Sequence, residues 1–312
     1  MIRRIKLAYS LYNLFHKKQL ENNVRLYKQI GLKKSYFSSI SSQDFEHLDA
    51  DLILYQNKPD ALLSDNKLYK NTDKASQNSM TSFQETGYCI IKNFFDPAVV
   101  ATVNEQIGDL MESRKLKFKY GNKLMFAIRK SDYLKSLFED QDLLQLLNIL
   151  IQGQAKLFSS INFMKGSQQR SHSDSIHMTT FPLGGLLGVW LALEDIDEEN
   201  GPLHYYPKSH KLPYYLNHDY DNIGSKYLLG KHDYKAYESM IEDKLEALKL
   251  KKHVFTADKG DLLVWHANLL HGGEPQIDMK RTRKSMVLHY FDTNRICYHE
   301  ITQRPALMKK AL

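Results

Sequence analysis

Apolar positions along the chain change period several times, and the changes mark out the elements. Leu7, Leu11 and Leu14 recur at helical spacing beside Ile5, Tyr12 and Phe15, which predicts one or two helices over residues 1–34. Polar Ser38–Asp44 offers an N-cap for a helix through Leu54. Residues 57–80, rich in Asn, Asp, Ser and Lys, read as a linker or a loop wrapping the domain. A helix carrying Phe83 then leads into a strand at Tyr88–Ile91. Asp96-Pro97 caps a helix to about Met111, with Val99, Val100, Val103, Ile107 and Leu110 mostly on one side. After a basic, aromatic stretch at Lys115–Lys130, one amphipathic helix is expected over Asp132–Ile151, its leucines packing on the core.

From Ala155 onward the apolar runs shorten to strand length: 155–164, 186–193, 203–206, 261–266, and one opening at Arg283. A Tyr-rich segment at 211–253 interrupts them and turns helical over Tyr234–Leu250. Residues after Arg295 read as a closing helix or tail. The class this predicts is mainly β with flanking helices (α+β).

With 312 residues, 42% hydrophobic and 25% charged, the chain has room for one large domain plus an extension. We place the extension at 1–75 and the domain at 76–312. Cys89 and Cys297 form no metal spacing or disulfide framework, which fits a reducing, cytoplasmic setting. No apolar run reaches transmembrane length. Residues 1–34 carry nine Lys/Arg against one acid, Glu21, a net of +8, so the remainder of a chain of net charge +7 stands at −1. The basic character is therefore local. It does not suggest a nucleic-acid groove across the catalytic region. A basic helix of this kind either makes peripheral contact with an anionic membrane surface or packs its apolar side on the domain with its lysines solvated.

The chemistry concentrates at Ser171–His210. His172 and Asp174 are metal-ligand types one residue apart, and on an extended strand both point to one face. An acidic turn, Glu194–Asn200, and a Gly201-Pro202 break follow. A second stretch, Lys259–Asp292, supplies His271 in a turn and then Arg283-Lys284-Ser285. Two His and one carboxylate make the facial triad of non-haem Fe(II) oxygenases, which leaves three positions open. A neighbouring Arg can clamp a dicarboxylate.

At His172-x-Asp174, Gly188-Val-Trp190-x-Ala192-Leu193-Glu194-Asp195, Asn200-Gly201-Pro202-Leu203, Pro207-x-Ser209-His210, Gly260-Asp261, His271-Gly272 and Arg283, the chain resembles the phytanoyl-CoA dioxygenase family, over roughly residues 80–295. The resemblance implies a double-stranded β-helix (jelly roll, cupin-like) core and the cofactors Fe(2+), 2-oxoglutarate and O2. It implies His172, Asp174 and His271 as iron ligands, Arg283 on the distal carboxylate of 2-oxoglutarate, and Trp190 lining that pocket. Two positions depart from the family pattern: Lys208 replaces the Gly of Pro-Gly-Ser-His, and Gly273 stands where a Ser is common. Ser285 is a candidate for the missing hydroxyl. Asn162 and Gln169 are candidates for polar contacts to the cosubstrate. Arg281 competes with Arg283. His177 lies near the mouth, while His204, His210, His266 and His289 read as structural. Residues 211–253 are a candidate lid.

The activity expected is hydroxylation of an unactivated C–H of a small or lipid-linked metabolite, with release of succinate and CO2. Desaturation, ring closure and epimerisation are not separable from it. Halogenation is disfavoured, because Asp174 occupies the position that a chloride would need. The alternative is a non-oxygenase cupin-like protein that binds a metal or a sugar.

Overall fold

The computed structural model describes residues 4–48 and 62–308. An antiparallel seven-stranded sheet runs in the order β1 (Tyr88–Ile91), β9 (Leu262–His266), β6 (Leu186–Ala192), β11 (Ser285–Asp292), β4 (Ala155–Phe163), β3 (Lys123–Met125) and β2 (Phe118–Lys119). A smaller sheet, β10 (His271–Gly273), β7 (Leu203–Tyr205) and β8 (His253–Phe255), packs against it. Phe163, Trp190, Leu203, Tyr205, Phe255, Trp265 and Val287 fill the space between the two sheets. This is the double-stranded β-helix, flanked by helices.

Cover on both sides explains why β6 is apolar on both faces and β11 on its outer one. Leu187, Val189, Leu191, Met286, Leu288 and Tyr290 point outward onto Val100, Val103, Ile107 and Leu110 of helix Pro97–Glu112 and onto Leu134, Phe138 and Leu147. Trp190 and Val287 alternate with them and face the barrel interior. Ser285 and His289 share the parity of Val287, so the same rule turns them inward.

Four expectations need correction. The helix over 132–151 is two, Asp132–Phe138 and Gln141–Ile151. Asp140 breaks it by accepting from the amides of Asp142 and Leu143 at 3.0 and 3.1 Å, an N-cap hidden inside a continuous apolar stripe. The linker at 57–80 is, in its described part, two helices: Lys67–Asn71, capped by Asn66, and Lys74–Thr81, capped by Asp73. The Asn and Asp that suggest a loop are caps, and Met80 enters the core. A helix from Ser38–Asp44 is only a 3-10 turn at Ser42–Phe45, and its continuation to Leu54 lies outside the described residues. The tail after Arg295 forms β12 (Ile296–His299) and β13 (Arg304–Pro305), which pair with β5 (Thr179–Phe181) as a third sheet.

The basic extension holds two different helices, α1 (Lys6–Leu14) and α2 (Glu21–Gln29). α2 packs Leu26 and Tyr27 on Phe181, Ile296 and Tyr298. Asn23 continues the pairing of β12: its amide donates to the Cys297 carbonyl at 2.8 Å and accepts from the Cys297 N–H at 3.0 Å. Asn23→Leu is expected to leave both buried groups unpaired and to cost on the order of 2–3 kcal/mol, read as a lower urea midpoint at unchanged slope. An unmoved midpoint would show that the extension does not brace this sheet. α1 packs the other way round from the expectation of a buried apolar side, with its leucines outward.

Candidate active site

Backbone pairing brings the two ligand-bearing segments together. His172 and His271 exchange N–H···O hydrogen bonds, both at 2.9 Å, and their rings lie 4.5 Å apart. The His172-x-Asp174 motif is not on a regular strand: His172 makes an isolated antiparallel bridge with His271, Ser173 is extended (φ −107, ψ 151), and Asp174 opens a 3-10 turn. One extended residue suffices to put both side chains on one side. The donor atoms of His172, Asp174 and His271 all lie within 4.8 Å of one another, and all three residues are buried. Each histidine donates Nδ1–H to a carbonyl at 2.9 Å, His172 to Arg170 and His271 to Leu269, which leaves both Nε2 atoms for the cluster.

Electrostatics prepare the set for a cation. Burial pushes His172 far below the ordinary histidine value, and His271 beside it adds to the effect. Burial acting alone would raise the Asp174 carboxyl, but His271 and His289 hold it well below the carboxylate range. Neutral imidazoles and an ionised carboxylate are the forms that bind metal.

Asp174 Oδ1 faces His271 Nε2 at 3.9 Å, while Oδ2 accepts the indole N–H of Trp265 at 2.8 Å. His289 Nε2 stands 3.6 Å from Oδ2 and is braced by Ser159 at 3.0 Å. Trp265 reaches Asp174 because it lies across Gly188, where a Cβ would come within 2.3 Å of the indole. Sequence reading missed both partners, since Trp265 and His289 look like core. Only the Gly188 opposite Trp265 hinted at a close approach. Trp265→Phe is expected to weaken Fe(II) binding by about 10–100-fold while the fold persists. Unchanged affinity in a metal titration would remove Trp265 from this role.

Beyond the metal side lies a buried cation. Arg283 donates from Nε to the Gly201 carbonyl at 2.9 Å and from a terminal N–H to the Ser285 hydroxyl at 2.5 Å. Its guanidinium sits 5.5 Å over the Trp190 ring, and burial brings its pKa down to about 10. Among the described residues no carboxylate forms an ion pair with it. Arg281 is different: it pairs at the surface with Asp197 at 2.9 Å and Glu199 at 3.4 Å.

Gln169 comes within 3.2 Å of His172 Nε2 and reaches the Tyr234 hydroxyl at 3.3 Å. Lys123 donates to Gln169 at 3.2 Å, and burial lowers its pKa. Lys123 was not singled out. It is one of several lysines in a basic stretch, and only its pairing with Phe163 turns it inward. Asn162 is a correction. It pairs with Met286 and Leu124, both in the helix-covered outer layer, so it points away from the metal with both amide atoms unpartnered. The helix Tyr234–Leu248 crosses the ligand segment, with the Tyr237 hydroxyl on Ser173 and Arg170 paired with Glu242. The His177 ring packs on Tyr234 at 4.6 Å.

Two half-buried histidines away from the cluster contribute to the acid response. Burial lowers His266 and His299 from 6.5 to about 3. Below pH 6.5 the unfolded chain binds protons that the folded chain does not, so stability rises with pH across the window from about 3 to 6.5 and levels off above it. The slope is up to about 1.4 kcal/mol per pH unit for each histidine. His299→Gln is expected to flatten denaturation midpoints measured across this window, and an unaltered slope would refute it.

A double-stranded β-helix carrying a buried His-x-Asp…His set defines the non-haem oxygenase class. The chain belongs to the phytanoyl-CoA dioxygenase (PhyH) family, whose model matches residues 83–283. The peroxisomal phytanoyl-CoA dioxygenase of Bos taurus is 25% identical over 245 residues, 68% of this chain and 67% of that one. Phytanoyl-CoA dioxygenase domain-containing protein 1 of Danio rerio is 39% identical over 67 residues, a match that spans only 22% of either protein. Among solved structures, the non-heme alpha ketoglutarate dependent carbocyclase SnoK from nogalamycin biosynthesis superposes with a TM-score of 0.60 at 17% identity, covering 77% of this chain and 89% of that one. No helix among the described residues is long and apolar enough to cross a membrane.

Proposed function

We propose that the chain is an Fe(II)- and 2-oxoglutarate-dependent dioxygenase that hydroxylates an unactivated C–H bond of a small or lipid-linked metabolite. The observation that carries this reading is the pairing, in one barrel, of a buried His172–Asp174–His271 set with a buried Arg283 that forms no ion pair with a carboxylate among the described residues. The donor set fits Fe(II), and a buried unpaired guanidinium fits an incoming carboxylate. Bound iron and cosubstrate supply the oxidising equivalents: substrate, 2-oxoglutarate and O2 give hydroxylated product, succinate and CO2.

The chain's own residues do the rest. His172, Asp174 and His271 would hold the iron. Trp265 and His289 engage the second oxygen of Asp174, which favours one-oxygen ligation. Arg283, steadied by Ser285 and lying over Trp190, would hold the far carboxylate of the cosubstrate. Gln169 and Lys123 line the metal side. Tyr234 and Tyr237, from the segment 211–253, act as a lid that keeps water from the ligand segment.

A metal- or sugar-binding cupin has no use for an unpaired buried arginine, which favours the oxygenase. Ring closure is the second outcome to weigh, since one relative of the same fold is described as a carbocyclase. Anaerobic addition of Fe(II) and then 2-oxoglutarate should produce a weak visible charge-transfer band, and succinate release can then screen substrates. Oxygen from labelled O2 in the product supports hydroxylation. Succinate released with an unlabelled, cyclised or desaturated product would refute it. Bound iron without the band would return the site to a metal-binding module.

A further inference from the structure

Helix α1 is inside out. Asn13 is buried and donates to the Phe37 carbonyl at 3.3 Å, while Leu7, Leu11 and Phe15 are 64%, 53% and 83% exposed, with Leu14 beside them. Helical spacing puts Leu7, Leu11 and Leu14 on one stripe, and that stripe faces solvent. The start of the helix is tied to the loop at 227–229: the Lys6 N–H donates to the Tyr227 carbonyl at 3.0 Å, and the Leu229 N–H donates to the Arg4 carbonyl at 2.8 Å. That loop adds exposed Tyr227 and Leu228 to the same neighbourhood. Burial against the described residues therefore does not explain the leucines. A folded chain that holds a polar helix face inward and an apolar one outward needs a partner for the apolar face.

We propose that this face docks on an anionic lipid bilayer. The charge around it selects that partner. Arg4, Lys17 and Lys18 are exposed at the two ends of the helix, and the Lys226 ammonium lies 5.7 Å from the Tyr227 ring. Glu21 is the single acid in the first 34 residues. A second copy of the chain docked symmetrically on this face would set these cations against their own copies. Anionic headgroups neutralise them while the leucines and Phe15 enter the boundary between headgroups and acyl chains. Nine residues are too few to span a bilayer, so α1 lies in the surface plane. The docking does not depend on the oxygenase reading of the site.

The test is co-sedimentation of the full chain with vesicles of phosphatidylcholine alone and with phosphatidylserine added. The wild type should partition onto the anionic vesicles, and raised salt should weaken binding. Leu11→Glu with Phe15→Glu changes only exposed positions. It should keep the thermal midpoint and lose binding by about ten-fold or more. Equal binding of both chains, or no binding by the wild type, overturns the proposal. So does a wild-type dimer in light scattering that the double variant dissolves, which would assign the face to self-association. The charge-transfer band reports separately: its absence in a chain that still docks counts against the oxygenase alone.

Discussion

Asp174→Ala is expected to abolish succinate release and the charge-transfer band together. The carboxylate is the only anion in the cluster, and burial keeps the His172 imidazole neutral. Iron would then sit in a buried site without a compensating charge, with two ligands instead of three. The loss should exceed the roughly 10–100-fold cost of removing an outer partner of a metal ligand. Folding should survive. In the metal-free chain Asp174 is a buried charge, and removing one of those is not uniformly destabilising. Circular dichroism and a denaturant midpoint separate loss of metal from loss of fold. A variant that keeps the band would place the third ligand elsewhere, and His289, whose Nε2 stands 3.6 Å from Oδ2, would be the first residue to test.

Arg283→Leu is expected to raise the KM for 2-oxoglutarate far more than it lowers kcat. Truncating one partner of a buried charge pair costs about 2–5 kcal/mol, or roughly 30- to several-thousand-fold. The stability response should run the other way. Without the cosubstrate Arg283 is a buried cation held by Gly201, Ser285 and the Trp190 face with no ion pair among the described residues, so replacing it by an apolar residue should be neutral or stabilising. A purely structural arginine would show the opposite pattern, with lower stability and an unchanged KM. Arg283→Lys should recover little, since an ammonium lacks the planar fork that grips a carboxylate. Arg281→Leu is the control. Its surface pairs with Asp197 and Glu199 predict no effect on KM.

The metal set was legible because its signal is chemical and local: His and Asp at i and i+2, then His before Gly272. The choice of Arg283 over Arg281 was not legible from parity, since two residues apart on a strand share a face. It took the fold to bury one beneath the barrel and leave the other at the acidic turn. Asn162 shows the reverse failure. A polar residue shortly before a ligand pair looks functional, yet strand register turned it outward with Met286. Lys123, Trp265 and His289 carried no distinguishing sequence feature, because their roles arise from cross-strand neighbours far apart in the chain.

The sequence by itself determined most strands of the jelly roll and the three ligand types, because periodicity and side-chain chemistry are properties of neighbouring residues. Only the tertiary structure decided which buried groups brace Asp174, which arginine stands unpaired, and that α1 turns its leucines outward. Those outcomes depend on which surfaces the rest of the fold has already covered, and no stretch of sequence records that.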